Sequence, residues 1–394
     1  MVIHKTRKYT AYISHENLID LLQWRSAEQS SERLYTFLTD GEIPTSSLTY
    51  GELDRQARAI GATLQGLGAA GERVLLLYPS GLDYITAFFG CLYAGAVAVP
   101  VYPPRMHHGR DRIRAIAADA QASVALTDAS LLPHVQRWCE RAPDLRQVHW
   151  HATGHEPEGI ETAWQRPDVT KQSLAFLQYT SGSTGAPKGV MLSHQHLLHN
   201  QRMIQDAFHH TEHSVGVGWL PLYHDMGLIG NVIQPLYAGF PCVLMAPMAV
   251  LQRPARWLQA ITTYRATTSG GPNFIYDLCA RKITPAQRDS LDLSSWQVAY
   301  NGAEPIRHDT LEQFARLFEP CGFRREAFYP CYGLAEATLL VTGGRLQDTP
   351  VLHTVQRTAL EQHCAVPAFP GGPDAQTLVG CGQTLLDQRI VLVD

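Results

Sequence analysis

Between Phe176 and Val190 the sequence runs Phe-Leu-Gln-Tyr-Thr-Ser-Gly-Ser-Thr-Gly-Ala-Pro-Lys-Gly-Val. This places the hydroxyls of Thr180, Ser181, Ser183 and Thr184, the glycines Gly182, Gly185 and Gly189, and Lys188 in a turn between two apolar runs. Such residue types make a phosphate cradle: glycines let backbone N–H groups approach an anion, hydroxyls add donors, and a lysine adds a full positive charge. A Walker A loop does not fit. It would open a helix with Gly-Lys followed by Ser or Thr, whereas Pro187 comes five residues after Gly182 and Lys188 is followed by Gly189 and the strand-like Val190-Met-Leu192. The spacing predicts strand, turn, strand; an ordinary polar hairpin turn is the plainer alternative for these residue types.

Three further blocks carry groups suited to work beside such a loop. Asn301-Gly-Ala-Glu-Pro305 follows a strand-like Trp296–Tyr300, and α/β sheets place ligands in crevices at strand C-termini; the alternative is a strand-to-helix turn in which Glu304-Pro305 starts the next helix. Trp219-Leu-Pro-Leu-Tyr-His-Asp-Met-Gly-Leu-Ile-Gly230 sets His224 among Met226, Leu228, Ile229 and, further on, Ile233. An imidazole is polar near neutral pH and can donate to a carboxylate, although a purely structural His224 stays open. Tyr329-Pro-Cys-Tyr-Gly-Leu-Ala-Glu-Ala-Thr338 offers Tyr332 and Glu336, for which a core aromatic and a helix-face charge are the alternatives.

The elements that must hold these blocks alternate between helix and strand. With 394 residues, 45% of them hydrophobic, the chain can bury a large core in two or three subdomains. Val74–Tyr78, Ala96–Val101, Ser123–Thr127 and Cys242–Met245 are continuous apolar strands of the kind buried on both faces of parallel sheets. Leu82–Tyr93 reads as a helix after the first and Arg112–Ala122 as a helix after the second, a βαβ rhythm with right-handed crossovers. A second set starts near Leu174 and passes Trp219, Cys242 and Thr268 to Val298–Tyr300. The expected division is 1–172 and 173–342 as two similar α/β subdomains, and 343–394 as an irregular Gly/Pro-rich segment leading into β structure. Gln388–Asp394 reads as a strand with no cap after it, so the sequence reads as an incomplete chain.

Composition narrows the partners. A formal net charge of -4 with no basic run disfavours nucleic acid and anionic membranes. The basic start has no apolar segment behind it, which argues against a secretory signal. Ile85–Val101, the longest apolar stretch, is broken by Gly90, Gly95 and Pro100 and reads as a helix turning into a buried strand, with no membrane span. Eight cysteines without a Cys-x-x-Cys pair fit reduced thiols and a cytoplasmic protein. For the histidine groups His194, His196, His199 and His209, His210, His213, solvated or capping roles suit better than metal.

On Tyr179-Thr-Ser-Gly-Ser-Thr-Gly-Ala-Pro-Lys-Gly189 the chain resembles the acyl-adenylate-forming superfamily of acyl-CoA synthetases, luciferases and peptide-synthetase adenylation domains. Val99–Pro104, His224–Gly230, Ser269–Phe274, Tyr332–Thr338 and Val379–Gly382 make it similar to the fatty acyl-AMP ligases, from about Leu18 to Asp394. Ala335 departs from the usual Thr, which removes one hydroxyl contact to phosphate, and Val379-Gly380 and Gln383 are slightly off the usual wording. The resemblance implies an α/β fold: two similar αβαβα-type subdomains of the large N-terminal domain and part of a third, β-rich subdomain, with the small mobile C-terminal domain and its lysine absent.

It also implies ATP-dependent activation of a fatty acid to acyl-AMP with release of pyrophosphate. ATP and Mg2+ are the implied cofactors, and a fatty acid and an acyl carrier protein of a polyketide or lipopeptide assembly line the implied partners. Thr180, Ser181, Gly182, Ser183, Thr184, Gly185 and Lys188 fall to the phosphates, and Asn301, Gly302, Ala303, Glu304, Tyr332 and Gly333 to the adenine end. Glu336 and Thr184 fall to the metal, and His224, Met226, Gly227, Ile229 and Ile233 to the acyl side. The segment from about Gly344 to Gln376 matches the insertion associated with carrier-protein delivery. A medium- or long-chain acyl-CoA synthetase and a non-catalytic nucleotide- or acyl-binding module remain as alternatives.

Overall fold

The computed structural model describes residues 15–102, 110–140, 142–180, 187–391 and 393. Among these residues one six-stranded sheet has the order His149–Thr153, Val124–Asp128, Arg73–Leu77, Val97–Pro100, Leu174–Thr180, Lys188–Ser193. Its strands are parallel except the last, which pairs antiparallel with Leu174–Thr180. Residues alternate between two cores: Val74 and Leu76 of one strand face the large core shared with the second sheet, and Leu75 and Leu77 face a smaller one. A strand buried on both faces must be apolar throughout, which is why these segments read as continuous runs.

The second sheet has nine strands among the described residues. Its centre is parallel, in the order Phe328–Gly333, Val298–Asn301, Thr268–Gly271, Gly216–Gly218, Cys242–Met245, Arg33–Leu38, with antiparallel strands added at both edges. Sheet membership crosses the expected border at 172/173. Arg33–Leu38 and Pro44–Thr49 belong to the nine-stranded sheet, while Leu174–Thr180 and Lys188–Ser193 complete the six-stranded one. The α/β architecture with mixed sheets agrees with the expected class.

Helix limits follow local chemistry. Leu82–Ala94 ends at Gly95, left-handed at φ 73°. The helix expected over Arg112–Ala122 runs Arg110–Ala120. Ser193 and His196 form a capping box for His194–Phe208, the helix beside the site. Two expectations change at the C-terminal side. The segment from Gly344 to Gln376 is not simply irregular, because Leu352–Gln356 pairs antiparallel with Ala375–Val379 around the short helix Arg357–Leu360. The residues described within 388–394 form no strand; Ile390, Val391 and Val393 are exposed, and an apolar run becomes a strand only where a neighbour takes its backbone groups. No helix among the described residues is long and apolar enough to cross a membrane, and the eight cysteines are unpaired thiols.

Candidate active site

The strand–turn–strand expectation around the phosphate cradle is met by its flanks. Leu174–Thr180 and Lys188–Ser193 pair antiparallel, with Thr180 opposite Lys188. Ser181, Gly182, Ser183, Thr184 and Gly185 lie outside the described residues. Lys188 is exposed at the start of its strand. The base of this hairpin is fixed: Tyr179 donates its hydroxyl to Asp119 Oδ2 at 2.5 Å, and a Cβ on Gly189 would come within 2.9 Å of the Tyr179 ring, so only glycine fits opposite it. Gln178 Nε2 donates to the Tyr223 carbonyl at 3.1 Å, tying the cradle's first strand to the segment that bears His224.

Two turns at strand C-termini form the next part. Asn301 ends Val298–Asn301, is fully buried, and has no hydrogen-bond partner for either side-chain amide atom among the described residues. After it the backbone turns through Gly302, where a Cβ would lie 3.0 Å from the Cys331 carbonyl oxygen, and Ala303, held left-handed at φ 67°. A non-glycine residue in that region stores strain, a frequent mark of functional turns. Glu304 Oε1 instead accepts the Phe274 amide at 2.6 Å at the start of Asn273–Lys282, so its carboxylate is committed to a helix end.

The second turn follows Phe328–Gly333. Tyr332 is half exposed, and Gly333 is packed so that a Cβ would sit 2.0 Å from the Leu339 carbonyl oxygen. A short 3-10 turn, Ala335–Ala337, then places Glu336 in the open and ends at Thr338, whose φ of 75° and ψ of -65°, with Leu339 N donating to Ala337 O at 3.0 Å, make a strained γ-turn. Asn200, buried on the helix His194–Phe208, holds this loop: its Oδ1 accepts the Leu340 amide at 3.2 Å and its Nδ2 donates to the Leu340 carbonyl at 3.0 Å. Asn200 was not singled out in the sequence, and nothing in its neighbourhood there distinguishes it from an ordinary helix-face amide.

His224 precedes the helical turn Asp225–Leu228. Its Nδ1 lies 2.7 Å from Asp225 Oδ1, which also accepts the Met226 amide at 2.6 Å. The Met226 amide is 3.3 Å from the same Nδ1, but the shorter contact to a carboxylate makes Nδ1 the donor and leaves Nε2 for a ligand. Burial pulls the imidazole pKa down, and the hydrogen bond and charge of Asp225 outweigh that pull, so the net shift is upward. The ring keeps 48% of its surface accessible. Gly227 permits the tight approach of this turn, since a Cβ would fall 2.0 Å from the Pro221 carbonyl oxygen.

A cavity of about 260 Å³ joins these parts. Thr180, His224, Gly302, Ala303, Tyr332 and Gly333 line one end, and Ile204, Phe208, His210, Phe240, Cys242 and Thr268 line the rest. Of the residues assigned to the acyl side, Met226 lines the cavity while Gly227, Ile229 and Ile233 do not; Ile229 and Ile233 are fully buried in the core. The reason is a π-helical turn over Ile229–Ile233 between Asp225–Leu228 and Gln234–Ala238. The extra residue in that turn changes the facing of the helix, and Gly230 and Asn231 reach the cavity instead.

The fold is matched by known proteins. The family described as AMP-binding enzyme matches residues 23–394. A medium-chain fatty acid:acyl-carrier-protein ligase, JamA, from Moorena producens is 46% identical over 383 residues, 96% of this chain and 65% of the relative. A second ligase of the same description, TtuA, from Teredinibacter turnerae is 36% identical, over 93% of this chain and 63% of its own length. The crystal structure of a fatty acyl-adenylate ligase from Legionella pneumophila in complex with acyl adenylate and pyrophosphate superposes with a TM-score of 0.88 at 42% identity, covering 95% of this chain and 64% of that one. The chain thus spans a little under two thirds of the length of these proteins. The match takes in every turn around the cavity, and on it the chain belongs to the AMP-binding enzyme family.

Proposed function

We propose that this chain uses ATP to convert a medium-chain fatty acid into its acyl-adenylate, for transfer to an acyl carrier protein. The observation that carries this reading is the single cavity in which His224 and an apolar wall are continuous with the Gly302-Ala303 and Tyr332-Gly333 turns. A mixed anhydride of a fatty acid and AMP has that composition: a long apolar arm, a charged centre and an aromatic base. The names of JamA and TtuA support the medium-chain acid and the carrier protein as acceptor.

In the reaction a carboxylate oxygen attacks the α-phosphorus of ATP, the bond to the β-phosphate oxygen breaks, and pyrophosphate leaves with that electron pair. The protein's part is positioning and neutralisation of charge. His224, as the imidazolium cation with Nδ1–H given to Asp225, offers Nε2–H to the carboxylate. Lys188 pairs opposite Thr180, and in this reading these two, with Ser181, Gly182, Ser183, Thr184 and Gly185, take the phosphates. Asn301, Gly302, Ala303 and Tyr332 hold the base. Glu336 fits a hard cation, being an exposed carboxylate with no hydrogen bond or ion pair among the described residues, on a loop held rigid by Asn200. Magnesium held there, with Thr184 as a second oxygen ligand, would neutralise charge on the departing pyrophosphate.

The test is ATP–pyrophosphate exchange by the 394-residue chain with octanoate, dodecanoate and hexadecanoate in parallel, and a Lys188→Ala control. Exchange that requires a fatty acid, is best with octanoate and collapses in the control is the expected result. ATP binding without exchange would reduce the chain to a binding module, and absence of both would remove the site.

A further inference from the structure

The strand register gives the cavity a depth. Gly271 pairs with Asn301 at the strand ends that carry the turns, whereas Thr268 pairs with Val298 and with Gly216. Thr268 therefore lies three residues below the ends, ~10 Å at about 3.3 Å per residue. At the same level Gly216 pairs with Cys242, and a Cβ on Gly216 would meet Cys242 Sγ at 2.9 Å and Phe240 at 3.3 Å, so the glycine lets these two side chains close over it and form the floor.

That floor is not purely apolar. His210, Asn231 and Thr268 line the cavity and are each only 6% exposed. His210 Nε2, Asn231 Oδ1 and Thr268 Oγ1 have no partner among the described residues. Their polarity is defined by their other contacts. Gln234 Nε2 donates to His210 Nδ1 at 3.2 Å, so the hydrogen of the neutral ring sits on Nε2 as a donor; burial keeps the ring neutral, with its pKa pulled down to about 3. Asn231 Nδ2 donates to Tyr300 Oη at 2.9 Å, leaving Oδ1 as an acceptor. Thr268 lies at the floor, and Asn231 packs against Gly218, two residues nearer the strand ends, so the lower part of the cavity presents a donor, an acceptor and a hydroxyl that can serve as either.

Building on the fatty-acyl reading, on which this rests, we infer that the cavity selects an acyl chain bearing a hydroxyl group near its far end, recognised by His210, Asn231 and Thr268. A hydroxyl can accept from His210 Nε2–H and can donate to Asn231 Oδ1 or Thr268 Oγ1. A ketone would leave the Asn231 oxygen unmet, and a carboxylate would face it with like polarity at the cost of burying a charge. A plain methyl end would leave all three groups unpaired, which buried polar groups in folded proteins rarely are.

The experiment is calorimetric binding of two non-hydrolysable adenylates, octanoyl-sulfamoyladenosine and 8-hydroxyoctanoyl-sulfamoyladenosine, to the full chain and to Thr268→Val and Asn231→Leu. The hydroxylated ligand is expected to bind the native chain about tenfold more tightly or better, and each substitution, on a separate element, to narrow that ratio towards parity. Equal or tighter binding of the octanoyl ligand to the native chain would overturn the inference and assign the floor to bound water. An unchanged ratio in both variants would overturn the role of these side chains. Failure of both ligands to bind would instead overturn the fatty-acyl reading, and this inference with it.

Discussion

The two ends of the cavity are built in different ways. At the adenylate end the groups sit on turns that follow strand C-termini, with the backbone held in costly conformations at Ala303 (φ 67°) and Thr338 (φ 75°) and small residues at Gly302 and Gly333 where a Cβ would collide. At the acyl end the lining comes largely from side chains on regular elements far apart in the chain, among them Phe208, Asn231, Thr268 and Tyr300. The first end needs a backbone path and tolerates little change; the second needs a volume and a pattern of polarity, which different side chains can supply. Substitutions should therefore act as switches at one end and as adjustments at the other.

The sharpest break comes from Glu336→Gln. Removing the carboxylate while keeping its shape is expected to lower fatty-acid-dependent pyrophosphate exchange about 100-fold; a loss under threefold would take Glu336 out of the site. His224→Gln should cost about tenfold and also change the pH profile. Asp225 raises the His224 pKa, so the cation that donates to a carboxylate prevails below that raised value and is lost as pH rises through it. Exchange by the native chain should decline on that alkaline limb, and the Gln variant should lack it. Asn200→Ala, which touches no ligand, should cost about tenfold by loosening the Glu336 loop. Its signature is a raised KM for ATP with an unchanged fatty acid KM, which a merely destabilised fold would not show.

The smallest effect concerns folding. His194, whose Nδ1 accepts the Leu18 amide at 3.2 Å, and His210 are both buried, which lowers their pKa values to about 4 and about 3 from 6.5. Below pH 6.5 the unfolded chain binds protons that the folded chain refuses, so stability falls from about pH 6.5 and the loss levels off below the folded values. By pH 5.5 it should reach about 1 kcal/mol for each histidine, measurable as a lowered Tm that His194→Gln makes less steep.

The same contrast explains what could be read from the chain. A turn that must pass a phosphate or end a strand is written in consecutive residues, so the flanks of the cradle, the Asn301–Glu304 turn and the Tyr332–Glu336 turn were visible without a structure. Strands such as Cys242–Met245 were visible because burial on both faces demands an unbroken apolar run. What depends on distant pairing was not. Arg33–Leu38 lies against Cys242–Met245 across some two hundred residues, so the sequence division at 172 could not follow sheet membership. Ile229 and Ile233 were assigned to the acyl side as apolar neighbours of His224, and the π turn sends them to the core and Asn231 to the cavity. Glu304 looked like a ligand-facing acid until its contact to the Phe274 amide was known.

Whether the two ends serve one ligand is tested by comparing, on the native chain, the affinity of octanoyl-sulfamoyladenosine with those of AMP and of octanoate. Joining the two halves makes binding of the second intramolecular, so the joined ligand should bind at least 100-fold more tightly than AMP or octanoate alone. A joined ligand no tighter than AMP would mean that the acyl wall and the nucleotide turns do not act on one molecule, and would contradict the proposed adenylation.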